Sequence, residues 1–119
     1  MMENKSVRRG DIFLADLTNY TKGNIILGIR PVVVVQNDMG NYYSPNVIVC
    51  AVTSAMKKPM PTHVELKNGT ANLEKDSTVM AETILTIEKS DLINYIGTLG
   101  KDDIDKVNQA VASSLQLIS

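Results

Sequence analysis

A mainly antiparallel β domain finished by a C-terminal helix is the fold class this 119-residue sequence predicts. Two observations lead there. Runs rich in β-branched residues at positions 32–36 and 47–53, and an alternating run at 11–17, are separated by clusters of Gly, Pro, Asn and Asp. The clearest helical periodicity comes last, where Ile104, Val107, Val111, Leu115 and Ile118 form one apolar stripe. The length suits a single domain, and 44% hydrophobic with 21% charged residues is enough apolar matter for a core.

Taken in order, Gly10 opens an alternating strand at 11–17. Residues 19–28, with Gly23 and Gly28, make a connection long for a hairpin and therefore a candidate functional loop. Pro31 starts the continuous run Val32-Val33-Val34-Val35-Gln36, which reads as a buried central strand. Turn formers crowd 37–41 and 44–46, and a second buried strand follows at 47–53. Lys57-Lys58-Pro59-Met60-Pro61 is a loop, since neither proline can donate to a ladder. Residues 62–66 alternate, Asn68-Gly69 marks a turn, and 77–80 and 84–87 read as two further short strands. Ser90-Asp91 caps a short helical turn that includes Leu92 and Ile93. In the last helix Asp102 is the expected N-cap, with Asp103 and Asp105 favoured in the first turn by the helix dipole.

Several function classes are excluded. Cys50 is the single cysteine, so no internal disulfide can form, and with one histidine a single chain cannot build a His/Cys zinc cage. No apolar run approaches the roughly 18–20 residues of a membrane span, and residues 1–9 lack the apolar stretch of a secretory signal. A cytoplasmic domain is the expectation. The net charge of −1 divides into +3 over residues 1–70 and −4 over 71–119, an asymmetry that by itself chooses no partner.

Among chemically capable residues Arg30 comes first. It lies between the long connection and a buried strand, and Pro31 restricts it to extended geometry. There its planar fork either matches a phosphate or pairs with a carboxylate such as Asp16 or Asp38. Thr53 ends the second buried strand. If the two strands pair antiparallel, the start of one meets the end of the other, and Arg30 and Thr53 share an edge. The alternative for Thr53 is a hydroxyl satisfied by backbone. Lys57 and Lys58 either steer an anion or solvate a loop, and His63 is either a surface or packing residue or a catalyst. Tyr42 and Tyr43 either stack on bases or pack the turn at Pro45, whereas Cys50 reads as a small buried hydrophobe.

The blocks Arg8-Arg9-Gly10-Asp11-Ile12, Gly28-Ile29-Arg30-Pro31-Val32 through Asp38, Tyr43-Ser44-Pro45, Val52-Thr53 and Pro61-Thr62-His63-Val64-Glu65 resemble, in order and spacing, those of the MazF/PemK-type toxins of bacterial toxin–antitoxin pairs. The likeness runs over residues 7–118, as one toxin domain. It implies an SH3-like antiparallel barrel with short helices and a C-terminal helix, as in CcdB and MazF. It also implies a homodimer that cleaves single-stranded RNA at a short sequence without metal or other cofactor and is inhibited by a cognate antitoxin. In such cleavage the 2′-hydroxyl attacks the adjacent phosphate, leaving a 2′,3′-cyclic phosphate and a 5′-hydroxyl. The resemblance carries the catalytic arginine to Arg30 and the catalytic threonine to Thr53, and RNA contacts to Lys22, Asn24, Ser44, Lys57, Lys58, Pro61, His63 and Thr83.

Two segments depart from the family pattern. Gly23-Asn24-Ile25-Ile26-Leu27-Gly28 stands where a polar Ser-Glu-Gln-Gly type loop is common, and Glu82-Thr83-Ile84-Leu85 where Glu-Gln-Ile-Arg is common. Both bear on the sequence recognised more than on the chemistry at Arg30 and Thr53. Two other classes stay open from the sequence: a non-enzymatic, CcdB-like gyrase-binding toxin, and an inactive barrel that only binds the antitoxin.

Overall fold

The computed structural model of the chain describes residues 6–20, 28–55 and 57–118. Among these lie strands β1 (Asp11–Asp16), β2 (Ile29–Val34), β3 (Asn46–Thr53), β4 (His63–Leu66), β5 (Ser77–Glu88) and β6 (Leu92–Thr98), with helices α1 (Asp38–Tyr43) and α2 (Lys101–Ser114). Short 3-10 turns occupy Thr70–Asn72 and Lys89–Asp91. The strands form one antiparallel sheet in the order β4-β5-β3-β2-β1-β6, curled into a half-barrel and finished by the C-terminal helix, as the sequence predicts.

The central strands are continuous apolar runs because both of their faces are buried. On one face Phe13, Ala15, Val32, Val34, Val49, Ala51, Met80 and Ile87 pack together. On the other, Ile12, Val33, Cys50, Val52, Val64 and Leu66 meet Leu99 and the α2 residues Val107 and Ala110. The Val, Leu, Ile, Phe and Met side chains among them contribute about 1.5–3 kcal/mol each when fully buried, so neither face can be turned to water cheaply.

Four expectations need correction. Residues 77–80 and 84–87 are halves of one strand, β5, and the register against β3 shifts between Met80 and Ile84, where a bulge kinks the ladder and imitates a gap between strands. The turn-rich segment after β2 is helical. The Asn37 side chain accepts from the Gly40 N–H (2.8 Å) as N-cap, and the Asp38 carboxylate accepts from the Arg9 N–H (2.7 Å), which ties α1 to the incoming chain. The predicted turn at Ser90 lies at Lys89–Asp91, and Leu92 and Ile93 begin β6 instead of continuing it. Finally, α2 is N-capped by Gly100 rather than Asp102, and its apolar stripe ends at Val111. Leu115 is the C-cap, and both Leu115 and Ile118 are exposed beyond the helix.

The open side of the half-barrel is bridged where the β4–β5 connection crosses β6. The Asn72 side-chain amide donates to the Ile96 carbonyl (3.0 Å), and Gly97 lies so close to this crossing that a Cβ there would stand 2.2 Å from the Ala71 carbonyl oxygen. Only a glycine permits that approach. Elsewhere Tyr20 donates to the Asp91 carboxylate and accepts from the Glu88 N–H (3.1 Å), fastening the chain that leaves β1 to the β5–β6 turn.

The Gly97 contact yields a test of the closure. Gly97→Ala must push the backbone of the 3-10 turn away, and overpacking of this kind costs about 1–3 kcal/mol. A urea unfolding curve of the variant shifts to a lower midpoint, by that free energy divided by the m value; coincident curves would mean that the crossing does not hold the half-barrel shut.

Candidate active site

Arg30 and Thr53 come together through the β2–β3 register. The ladder pairs Val32 with Ala51, Val33 with Cys50 and Val34 with Val49. Carried two positions further, it sets Arg30 opposite Thr53. Pro31, which has no N–H, stands one position beyond the last paired residue, and the ladder ends there. Residues two apart share a face of a strand, so Arg30 lies on the face of Val32 and Thr53 on the face of Ala51, the same side of the sheet.

The row extends beyond this pair. Ala15 is paired with Arg30, Thr53 with Thr78, and Thr78 with Glu65. A polar line Arg30–Thr53–Thr78–Glu65 therefore crosses β2, β3, β5 and β4, and at ~4.8 Å between strands it spans about 14 Å. Arg30 is half-buried and engaged by its surroundings. Thr53 is only 3% exposed, and its hydroxyl oxygen accepts from the Ala55 N–H (3.1 Å), which leaves its own hydrogen to donate.

Three adjoining depressions lie at this end of the sheet and touch Arg30, Thr78 and Glu65, whereas the buried Thr53 lines none of them. The first, about 550 Å³, is walled by Ile29, Arg30 and Ser54 on the strand ends, by residues 72–75 and Ser77, and by Tyr95 on β6. A middle one of about 220 Å³ shares Ser54 and Ser77 with the first and adds Lys57, Glu65 and Thr78. The third, about 520 Å³, shares Lys57, Glu65, Lys67 and Thr78 with the middle one and gathers Lys58, His63 and Lys106. Across the three, six Lys and Arg side chains face three carboxylates, although the whole chain carries a net −1.

The structure thus brings Lys57, Lys58 and His63 together at the far end of the row from Arg30. Pro61 is exposed just before β4, and Thr83 is half-buried at the β5 bulge. Ser44 is not part of this region. It caps the C-terminus of α1, its hydroxyl accepts from the Asn46 N–H (3.0 Å), and it lies at the end of β3 remote from Thr53, roughly 25 Å away along the strand. Lys22 and Asn24, with the aliphatic segment at 25–27, lie outside the described residues. Tyr42 and Tyr43 are exposed on α1 and stack edge to face on each other at 4.7 Å, so neither packs the turn. Lys67, Thr78, Tyr95 and Lys106 carry no signal in the sequence, because they reach these grooves from the β4–β5 connection, β5, β6 and α2, and no local motif joins them.

His63 is the best-fixed polar group of the far groove. Its Nε2 is 2.9 Å from the Glu82 carboxylate and its Nδ1 3.1 Å from the Lys58 carbonyl. Burial pushes the Glu82 carboxyl up, but the hydrogen bonds to it, from His63 first, prevail and hold it below the ordinary value. Burial in the apolar β3 pushes the Cys50 thiol up to about 12, so it carries no thiolate chemistry at neutral pH. Among the described residues no three His, Cys, Asp or Glu side chains gather closely enough to hold a metal ion, and no helix is long and apolar enough to cross a membrane.

Residues 8–115 match the model of a family described as PemK-like, MazF-like toxin of type II toxin–antitoxin system. An endoribonuclease MazF of Staphylococcus saprophyticus is 45% identical over 112 residues, covering 93% of this chain and 92% of that protein. Among solved structures, an endoribonuclease in complex with its cognate antitoxin from a mycobacterial species superposes with a TM-score of 0.80 at 25% identity, over 96% of this chain and 99% of that one. MazF of Deinococcus radiodurans shares the fold with a TM-score of 0.78 at 20% identity, over 92% and 96% of the two chains.

The lowered Glu82 carboxyl has a pH consequence. Its contribution to stability is complete above the unfolded-state value near 4.5 and is lost as pH falls through the lower folded-state value. Between pH 5 and 3 the urea midpoint of the wild type therefore falls more steeply than that of Glu82→Gln, the remaining carboxylates being common to both. Parallel pH profiles would show that the His63–Glu82 pair adds nothing.

Proposed function

The chain belongs to the PemK-like, MazF-like toxins of type II toxin–antitoxin systems, and on that premise we propose that it is an endoribonuclease cutting single-stranded RNA at Arg30 and Thr53. The observation that supports these two residues most directly is the β2–β3 register, which sets a guanidinium and a hydroxyl opposite each other on one face where the ladder ends. Two copies of the chain acting as a homodimer, held inactive by a cognate antitoxin, complete the reading.

In the proposed reaction the RNA supplies its own nucleophile. The 2′-hydroxyl oxygen bonds to the adjacent phosphorus, the P–O5′ bond breaks, and a 2′,3′-cyclic phosphate and a 5′-hydroxyl result. The proton that leaves the 2′-oxygen is balanced by one gained at the 5′-oxygen, so no water, metal or cofactor is consumed. Arg30, with a permanently charged fork, binds the non-bridging oxygens and stabilises the charge that builds on the phosphorane. Thr53, with its oxygen already accepting from Ala55, donates its hydrogen to one of the same oxygens. Neither group is asked to be a strong base. Lys57, Lys58, Pro61, His63 and Thr83 contact the flanking RNA in this reading, and Lys22, Asn24 and Ser44 do so only if the partner copy or the 21–27 segment brings them near.

Loss of one preorganised donor to a developing oxyanion costs about 100- to 1000-fold in rate. Arg30→Ala and Thr53→Val are therefore expected to lower single-turnover cleavage by that factor while melting like the wild type. With EDTA present the wild type still cleaves, and the products end in a cyclic or 3′-phosphate. Unimpaired cleavage by Arg30→Ala, or 5′-phosphate ends, would overturn the mechanism; gyrase stalling without RNA cleavage would favour the non-enzymatic class.

A further inference from the structure

We propose that the RNA strand held at Arg30 continues across the same protomer into a second, sequence-neutral phosphate site formed by Lys57, Lys67 and Lys106. This rests on the reading of the chain as an RNA-cleaving enzyme, and it adds a binding site remote from the chemistry. Its basis is continuity. The Arg30 groove and the middle depression share Ser54 and Ser77, and the middle depression and the far groove share Lys57, Glu65, Lys67 and Thr78, so three adjoining depressions lead from β2 past the edge strand β4 to helix α2.

Charge follows the same track. Four lysines line the far groove against the single carboxylate of Glu65 among the described residues, on a chain whose overall charge is slightly negative. In the middle depression Lys57 and Lys67 balance Glu65 and Asp76, whose carboxylate accepts from the Asn68 N–H (2.7 Å), so the basic excess lies at the two ends of the track. An acidic average with a basic furrow is what attraction of a polyanion along one path requires, and low-dielectric walls focus that field. The two ends differ in kind. Tyr95, 57% exposed, lines the same depression as Arg30, whereas among the described residues the far groove is lined by lysines and His63 with no Phe or Tyr. Bases are read or stacked near the scissile bond; beyond it, ammonium groups on flexible stems neutralise phosphates without regard to sequence.

Lys67 and Lys106 are exposed and lie outside the proposed catalytic and base-contacting residues, so the double variant Lys67→Ala/Lys106→Ala leaves the chemistry in place. Two substrates separate the roles: a short oligonucleotide holding only the cleavage site, and the same site within a strand of about 40 nucleotides. The variant is expected to cut the short one with unchanged kcat and KM. For the long one KM should rise about three- to tenfold, and the slope of log affinity against log salt should flatten by about 1.4, some 0.7 per lysine contact to a single strand. An unchanged salt slope with the long strand overturns the proposal, as does an equal loss on both substrates. So does weakened inhibition by the antitoxin with RNA binding intact, which would assign the groove to an acidic protein segment. Binding of a 40-nucleotide polyuridine to Arg30→Ala, with and without the lysine changes, reads the same slope without cleavage; it tests the track even if the enzyme reading fails.

Discussion

Val32, Val33 and Val34 of β2 meet Ala51, Cys50 and Val49 of β3, and this short ladder sets the position of everything that matters in the molecule. Because the side-chain period of a strand is two, a slip of one residue would turn Arg30 away from Thr53. The slip is prevented by burial on both faces. Val32 and Val34 are held in one apolar cluster and Val33 in the other, so neither pleat can be moved without exposing part of a core. The register of the two polar residues is thus enforced by apolar neighbours that take no part in any chemistry.

The second constraint is closure. A half-barrel with an open side would leave the walls of the Arg30 groove independent of one another. Here the β4–β5 connection is pressed onto β6 at Gly97 and hydrogen-bonded at Ile96, and the residues that follow, from Asn72 to Ser77, form the wall facing Arg30. Folding and site shape are therefore one problem at this crossing. The bulge in β5 serves the same end. It falls where β5 leaves β4: the first half pairs with both β3 and β4, and the second half continues along β3 as far as Glu88.

The strands at 32–36 and 47–53 are readable because burial on both faces writes itself as near-continuous apolar, β-branched sequence, the strand at 11–17 is readable from its alternation, and antiparallel geometry sets Arg30 opposite Thr53. What escaped the sequence was written in tertiary contacts. The Asn-Asp-Met-Gly-Asn segment has turn composition, yet Asn37 caps it and Asp38 anchors it to Arg9, and it becomes a helix. β6 lacks clean alternation because its register against β1 shifts twice, so Leu92 and Ile93 looked like the inside of a helical turn. Asp102 resembled a cap, but Gly100 begins the helix. Lys106 belongs with Lys57 only because α2 packs against β4 and β5, and nothing in a run of sequence can show that.

Cys50 sits at the middle of the β2–β3 ladder, opposite Val33, with no exposed surface and a thiol raised to about 12. It is also the chain's single sulfhydryl. An alkylating reagent can therefore reach it only when that ladder comes apart, and the rate of its modification becomes a clock for the opening of the core. A toxin must be stored in an inhibited complex and released intact, and this built-in reporter would show whether an antitoxin, once bound, merely covers the site or also slows the breathing of the sheet that positions it.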